Sequence, residues 1–231
     1  DEDGNLIASY KYDEYGKSRE WIVDELAQSK TKLDEKGKKI YTLNFEGYRV
    51  AEYFYDKDDN LTHKKDLYDN VTYFNEAGEM THTVNSDGVK VTTYKYEEDK
   101  NGYRFLKSVK DEMTNSVTIY DEKGKPQEVR NHTGAVVKDY EWNGTKLIYT
   151  ENIPSGEVTW YDSDKRKYTT FKGHLVKEWI YNKGKLAALW DERVNSLQVY
   201  THGREELAFN LDEKPDKEKV LNMMKSHGVA F

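Results

Sequence analysis

The amino-acid sequence predicts an all-β protein: tandem antiparallel β-hairpin repeats that form an extended or curled single sheet, followed by a short C-terminal capping helix. Two repeated patterns of β-branched and aromatic residues predict the strands. Regularly spaced Asp/Asn-x-x-Gly segments predict the turns between them. Apolar residues at helical spacing occur only near the C-terminus.

The first pattern is a glycine, two residues, a β-branched residue, two further residues, and two aromatic residues separated by one position. It occurs five times, as GNLIASYKYD, GYRVAEYFYD, GVKVTTYKYE, GAVVKDYEWN and GHLVKEWIYN. The copies begin at Gly4, Gly47, Gly88, Gly134 and Gly173. Fixed internal spacing in five copies, at intervals of about 42 residues, indicates a repeat protein.

The second pattern lies between copies of the first. It occurs as VTYFN (71–75), VTIYD (117–121) and VTWYD (158–162), and as a divergent LQVYT (197–201). Both patterns end in a turn-forming segment, so each predicts a strand, a turn and a second strand. The elementary period is therefore about 20 residues, and two such periods make one repeat.

Side chains alternate across a strand, so the β-branched residue of the first pattern faces away from its two aromatic residues. If successive copies lie in register, the aromatic residues form two rows, Tyr10, Tyr53, Tyr94, Tyr140 and Trp179, and Tyr12, Tyr55, Tyr96, Trp142 and Tyr181. The β-branched row on the other face is Ile7, Val50, Val91, Val137 and Val176. The second pattern predicts a row of Val71, Val117, Val158 and Leu197 beside Tyr73, Ile119, Trp160 and Val199. Such ladders would stabilise each repeat through its neighbours rather than through one compact core.

The chain divides into a repeat domain over residues 1–211 and a C-terminal linker and helix over residues 212–231. Pro215 and Asp216 predict the helix start, and Gly228 predicts its end. The apolar residues of this segment are Val220, Leu221, Met223 and Met224. We expect the helix to cover the last strand pair and protect an exposed sheet edge; docking of a partner is the alternative.

Composition limits the classes of function. Hydrophobic residues are 36% and mean hydropathy is −1.01, values that lean toward disorder, but 19 Tyr, 7 Phe and 5 Trp indicate a folded chain with a thin aromatic core. A net charge of −7 without a basic stripe argues against nucleic-acid binding. No apolar run reaches the roughly 20 residues of a membrane-spanning helix. The absence of cysteine excludes disulfides and thiolate metal sites.

No motif predicts a catalytic site, a metal site or a cofactor. The six histidines have no metal-binding spacing and are interpreted as solvated turn residues; they are His63, His82, His132, His174, His202 and His227. The segment DKDDN (56–60) resembles the start of a calcium loop, but Leu61 and Leu67 occupy the positions that need glycine and glutamate. An Asx turn is the simpler interpretation of this segment.

The segments YKYDEYGK, YFYDKDDNL and IYDEKGK resemble the YD repeats of bacterial Rhs and teneurin-type proteins. The resemblance extends over most of residues 4–201, although Glu97 replaces the usual aspartate in the third copy. It implies a spiralling antiparallel sheet, in an exported or surface-exposed protein, that forms a shell or stalk without chemistry of its own. The NGK turns show a weaker resemblance to the variant MORN repeats of bacterial immunity proteins.

We therefore expect a non-catalytic exported bacterial protein, its signal peptide removed, that acts as a binding or scaffolding surface for a protein or glycan partner. The expected binding residues are Tyr140, Trp142, Trp179 and Tyr181, where the aromatic rows become richest in tryptophan. The alternative for these rings is burial under the capping helix.

Two other functions stay open at this point. One is a cytoplasmic immunity or antitoxin protein that neutralises a toxin. The other is a glycan-active enzyme on a five-bladed propeller, because repeats of about 42 residues with four strands also fit propeller blades.

Overall fold

The computed structural model describes residues 6–16, 18–163, 165–201 and 204–227. Its twenty strands belong to one antiparallel sheet that does not close, and one helix follows them. The predicted all-β repeat sheet with a short C-terminal helix is confirmed. The predicted first glycine, Gly4, lies outside the described residues, as do His202 and Gly228.

The strands follow the predicted repeats, four to each repeat. The first ten are β1 Ala8–Tyr12, β2 Arg19–Asp24, β3 Ser29–Leu33, β4 Lys39–Asn44, β5 Arg49–Tyr55, β6 Leu61–Asp66, β7 Val71–Phe74, β8 Met80–Val84, β9 Lys90–Glu98 and β10 Arg104–Asp111. The others are β11 Ser116–Tyr120, β12 Pro126–Arg130, β13 Val136–Asn143, β14 Lys146–Asn152, β15 Glu157–Asp162, β16 Lys165–Phe171, β17 His174–Asn182, β18 Lys185–Asp191, β19 Ser196–Thr201 and β20 Arg204–Asn210. The helix α1 is Lys217–Ser226.

The chain forms two compact bodies. The N-terminal body takes in the described residues up to Val117 together with Glu122–Gly124, and the C-terminal body takes in Thr118–Asp121 and the described residues from Lys125 onward. Within the N-terminal body, consecutive strands pair from β1 to β10. Within the C-terminal body, they pair from β12 to β20.

Pairing continues across the borders between repeats, and this excludes the propeller alternative. In the N-terminal body β4 pairs with β5 and β8 with β9; in the C-terminal body β12 pairs with β13 and β16 with β17. Propeller blades are separate sheets. The five-bladed propeller is therefore wrong as an architecture for this chain.

The hairpin turns are held by an aspartate or asparagine side chain. Asp99 Oδ1 accepts hydrogen bonds from the backbone N–H groups of Asn101 and Tyr103, both at 2.8 Å, and Gly102 at φ +80° closes the turn. The calcium-like segment has the same geometry, because Asp56 Oδ1 accepts from the N–H groups of Asp58 and Asn60, both at 2.9 Å. The Asx-turn interpretation of residues 56–60 is thus confirmed.

The largest apolar cluster lies at the C-terminal end of the chain, under α1. Asp216 caps the helix by accepting from the Lys219 N–H at 2.7 Å, so the predicted helix start is confirmed. The buried residues of this cluster are Ile180, Ala187, Ala188, Trp190, Leu197, Val199, Val220 and Met224. The helix thus packs on the face of β17–β20 that carries Ile180.

The predicted alternation of faces along a strand is confirmed, but the predicted rows of equivalent residues from successive repeats are wrong. Val176 and Ile180 are buried on one face of β17, and Trp179 lies on the other, half-buried. Equivalent strands are separated by three others, at about 4.8 Å each, so Tyr10 on β1 and Tyr53 on β5 are not neighbours. A ladder contact joins residues on adjacent strands, which belong to different parts of the repeat.

Candidate aromatic binding surface

The structure places the four predicted binding residues on one face of the C-terminal body. Tyr140 and Trp142 lie on β13, and Trp179 and Tyr181 lie on β17. Residues that pair across adjacent strands lie on the same face of the sheet. Such pairs connect Tyr140 to Lys177 on β17, by way of Thr150, Thr159 and Thr169. Lys177 lies on the same face of β17 as Trp179. Ile180, between Trp179 and Tyr181, packs under α1. The helix therefore covers the face opposite to the four rings, and all four are half-buried.

Each of the four rings lies close to a basic side chain. Lys138 Nζ is 4.8 Å from the centre of the Tyr140 ring, and Lys125 Nζ is 5.3 Å from that of Trp142. The Arg166 guanidinium is 5.8 Å from Trp179, and Lys165 Nζ is 5.7 Å from Tyr181. Because cations are attracted to aromatic faces, these contacts hold the basic side chains against the rings.

Trp142 also joins two successive repeats. Its indole Nε1 donates to the backbone oxygen of Pro126, the first residue of β12, at 2.9 Å, and Lys125 donates to the backbone oxygen of Gly144 in the next turn. In the next repeat, Tyr181 occupies the position of Trp142, and burial raises the pKa of its hydroxyl. The second aromatic residue of the pattern thus contributes to the junction between repeats as well as to the surface.

The N-terminal body contains an aromatic stack that the sequence analysis missed. Phe54, His63, Tyr73 and His82 lie on four adjacent strands, β5–β8, and successive ring centres are 4.3, 5.7 and 4.8 Å apart. Burial lowers the pKa of both histidines. The interpretation of His63 and His82 as solvated turn residues is therefore wrong: both lie in strands, His63 packs between the rings of Phe54 and Tyr73, and His82 stacks on Tyr73.

Hydrogen bonds fix the tautomer of His63. The Thr62 hydroxyl donates to the backbone oxygen of Phe54 at 3.0 Å, so it can only accept from Nδ1–H of His63, also at 3.0 Å. This leaves Nε2 of the neutral ring as an acceptor. The neighbouring Thr81–His82 pair repeats the arrangement, and a Thr-His dipeptide one elementary period apart is the sequence signal that could have revealed it.

Threonine side chains form a second feature that the sequence analysis missed. Thr31 and Thr42 hydroxyl oxygens are 2.8 Å apart, and the Thr42 hydroxyl lies 3.2 Å from that of Tyr53. One repeat later, the equivalent chain is Thr72, Thr83 and Tyr94, with distances of 2.9 and 3.3 Å. A spacing of 11 residues within each trio was visible in the sequence. These chains join three adjacent strands across the border between repeats.

The described residues contain no group of three or more His, Asp or Glu side chains placed to hold a metal ion. Within the same ranges, no helix combines the length and apolarity needed to cross a membrane.

No protein-family model matches this chain, and no curated protein matches it. Its similarity to solved structures includes a TcdB2–TccC3 crystal structure, with a TM-score of 0.35 and 12% identity over 96% of this chain and 14% of that chain. A structure of the Photorhabdus luminescens Tc holotoxin pore gives a TM-score of 0.32 and 13% identity over 88% of this chain and 13% of that chain. This chain thus spans about one seventh of the length of those chains. Similarity at this level does not assign it to a family.

Proposed function

We propose that this chain is a non-catalytic repeat protein, exported from a bacterium, that binds or scaffolds a protein or glycan partner through the four-ring face of its C-terminal body. One observation carries the proposal: each of these four rings has a basic side chain against it. None of these four cations, Lys125, Lys138, Lys165 and Arg166, forms an ion pair with another described residue.

The pairing of rings with cations that form no ion pair with another described residue favours a partner that offers both a flat apolar surface and a carboxylate. An aromatic side chain contributes broad contact area at little cost in conformational entropy. A lysine or arginine beside it contributes a charge-assisted hydrogen bond to an acidic group. Acidic glycans and acidic protein segments both meet this description.

Calorimetric titration with oligogalacturonate and with oligoglutamate tests the proposal, with neutral dextran as the comparison. We expect saturable binding of one acidic probe and none of dextran. The double variant Lys138→Gln/Arg166→Gln, which keeps the rings, should weaken binding at least tenfold. Arg193→Gln serves as a matched control, because Arg193 lies in the same body but is already paired with Glu157 and Asp191.

Fluorescence provides a second measurement that does not depend on the identity of the partner. The variants Trp142→Phe, Trp179→Phe and Trp190→Phe each remove one indole, so the difference in emission from the parent chain reports on that indole. Acrylamide should quench the emission of Trp142 and Trp179 more strongly than that of Trp190, because Trp190 is only 1% exposed. Equal protection of the three indoles, together with no binding of either acidic probe, would refute the proposed surface.

A further inference from the structure

The face of the C-terminal body that carries α1 also carries a row of three aromatic rings beside the helix. Tyr149, Trp160 and Tyr168 lie on β14, β15 and β16 and pair across these strands. Successive ring centres in this row are 5.2 and 6.1 Å apart, and all three residues are half-buried. Pairing continues from Tyr168 through Glu178 to Trp190, which is buried under α1. We call these three residues the ring row.

Carboxylates surround the Tyr149 end of the ring row. Glu141 lies opposite Tyr149, and the next pair on the same face is Asp139 with Glu151. None of these three carboxylates forms an ion pair with another described residue. Burial raises the pKa of Tyr149, and the three carboxylates raise it further because they oppose a phenolate. The ring row thus begins in an acidic environment.

An internal comparison shows that the fold does not require a carboxylate at the start of the row. In the second repeat, Phe54 pairs with His63 as Glu141 pairs with Tyr149 in the fourth repeat. The rings of Phe54 and His63 stack with centres 4.3 Å apart. The same position of the sheet therefore holds an apolar ring in one repeat and a charge in the other.

The neighbouring pair differs in the same direction. In the second repeat it is Glu52 with Lys65, whose charges attract, whereas in the fourth repeat it is Asp139 with Glu151, whose charges repel. Opposite charges across a strand pair stabilise a sheet and like charges destabilise it. Departures from the stabilising choice are expected at functional sites. A cationic partner would relieve this repulsion.

Lysine and arginine side chains match both parts of this surface. Their aliphatic stems pack along apolar groups while their charged ends stay polar, and their cations are attracted to aromatic faces and to carboxylates. Strands β13–β16 hold the acids and the rings over about 14 Å, which exceeds the reach of one ammonium group. Within the described residues, these carboxylates do not converge on a metal site. The arrangement therefore favours an extended ligand with several cations.

We propose that the ring row and its carboxylates form a second binding surface, which takes a lysine- or arginine-rich segment of another protein. Charge complementarity favours this occupant over a second copy of the chain. The basic side chains that a second copy would offer from its four-ring face already lie against rings of their own, whereas a basic segment brings cations without such contacts. The surface lies on the face opposite to the four rings, so this inference does not rest on the function proposed above.

Fluorescence anisotropy of the full chain with a labelled octapeptide of alternating lysine and glycine tests the proposal. We expect saturable binding of this peptide and none of its glutamate–glycine counterpart. The double variant Asp139→Asn/Glu151→Gln should weaken binding by about tenfold or more, because it removes two charge-assisted contacts. The control Glu46→Gln/Glu192→Gln changes two exposed carboxylates and therefore shifts the net charge equally. At physiological salt it should leave binding within about twofold of the parent.

Two further measurements separate binding from folding. The Asp139→Asn/Glu151→Gln variant should raise the urea midpoint while it weakens binding, because it removes the like-charge pair. Trp160→Leu, which keeps an apolar side chain and loses the ring, should weaken binding about two- to fivefold. Lys138→Gln/Arg166→Gln, on the opposite face, should not weaken binding of the basic peptide, and this keeps the test distinct from that of the four-ring face.

Three results would overturn the proposal. One is the absence of saturable binding of the basic peptide, and another is equal weakening by the control variant. A lowered urea midpoint in Asp139→Asn/Glu151→Gln would show that this pair serves the fold instead. Sedimentation covers the remaining occupant: self-association of the parent chain that this double variant abolishes would mean that the surface binds a second copy, which also contradicts the proposal.

Discussion

Asp99 and Asn85 hold hairpin turns of the same kind with the same side-chain oxygen, but only Asp99 carries a charge. Asn85 Oδ1 accepts from the N–H groups of Asp87 and Val89 at 3.1 and 2.9 Å, which matches the bonds of Asp99. The backbone N–H of Tyr103 holds the pKa of Asp99 below its ordinary value, and that of Asn60 does the same for the pKa of Asp56. At the residue scale, the turns thus differ in their response to acid rather than in geometry.

This difference gives a prediction for the double variant Asp56→Asn/Asp99→Asn. Because the folded-state pKa of each carboxyl lies below its unfolded value of about 3.9, its contribution to stability is complete above that value and is lost as pH falls through the folded-state pKa. Urea midpoints measured from pH 6 to pH 2 should therefore fall less steeply for the variant than for the parent chain. A Glu46→Gln control, in an exposed turn, should follow the parent. An identical decline in all three proteins would contradict the prediction.

At the scale of elements, polar side chains connect the strands across repeat borders. Thr42 and Thr83 are only 8% and 9% exposed, yet each hydroxyl reaches two partners on adjacent strands. A buried hydroxyl without a partner would cost about 1–3 kcal/mol. These trios therefore favour the register in which all three hydroxyl groups meet. In the third repeat, Val129 occupies the position of Thr42 and Thr83 and pairs with Lys138. The backbone at this position therefore accepts valine, which has the same shape as threonine.

We predict that Thr42→Val lowers the free energy of unfolding by about 1–2 kcal/mol, because it removes both hydrogen bonds without leaving a cavity. A double-mutant cycle with Tyr53→Phe should give a coupling free energy of about 0.5–1 kcal/mol. Chemical denaturation of the four proteins measures both quantities. Strict additivity would show that the Thr42–Tyr53 contact contributes nothing to stability.

The helix is the other element whose contribution can be measured. Met224 is 1% exposed and packs into the cluster under α1, whereas Asn222 in the same turn is exposed. Met224→Ala should cost about 2–5 kcal/mol, because it removes buried apolar area and leaves a cavity. Asn222→Ala should change stability by no more than about 0.5 kcal/mol. Similar losses for both variants by thermal denaturation would mean that the helix does not close this part of the core.

At the scale of the whole molecule, pairing between consecutive strands makes the chain modular. Each repeat contributes four strands, and the strand that ends one repeat pairs with the strand that begins the next. Stability in such arrays is approximately a sum of repeat and nearest-neighbour terms. A whole repeat can therefore be removed without changing the kind of junction that remains.

Deletion of residues 134–172 tests this modularity within the C-terminal body. Strand β12 would then meet β17, which follows the same pattern as β13, and α1 would keep its cluster. Circular dichroism should retain β signal in proportion to the remaining length, with one cooperative but lower thermal transition. Deletion of residues 134–153, which removes half a repeat, is the matched control and should be far more damaging, because β12 would meet β15. Complete loss of β signal in the first deletion would contradict a modular sheet.

Sequence alone determined the strands, the turns, the repeat length and the helix start. These features follow from local chemistry: alternating β-branched and aromatic residues, Asx turns with glycine, and an aspartate N-cap. Alternation along the strand also placed Tyr140 with Trp142 on one face of β13, and Trp179 with Tyr181 on one face of β17.

Only the tertiary structure decided which side chains meet. Phe54 stacks on His63, and Thr42 bonds Tyr53, because neighbours in a sheet come from consecutive strands and not from equivalent positions of the repeat. The placement of α1 on the face of Ile180 likewise depends on long-range packing. The burial of Ala51, which is only 4% exposed, likewise depends on β4 and β6, which pair with the two sides of β5. Local chemistry specifies a strand, whereas its burial depends on the strands that pack beside it.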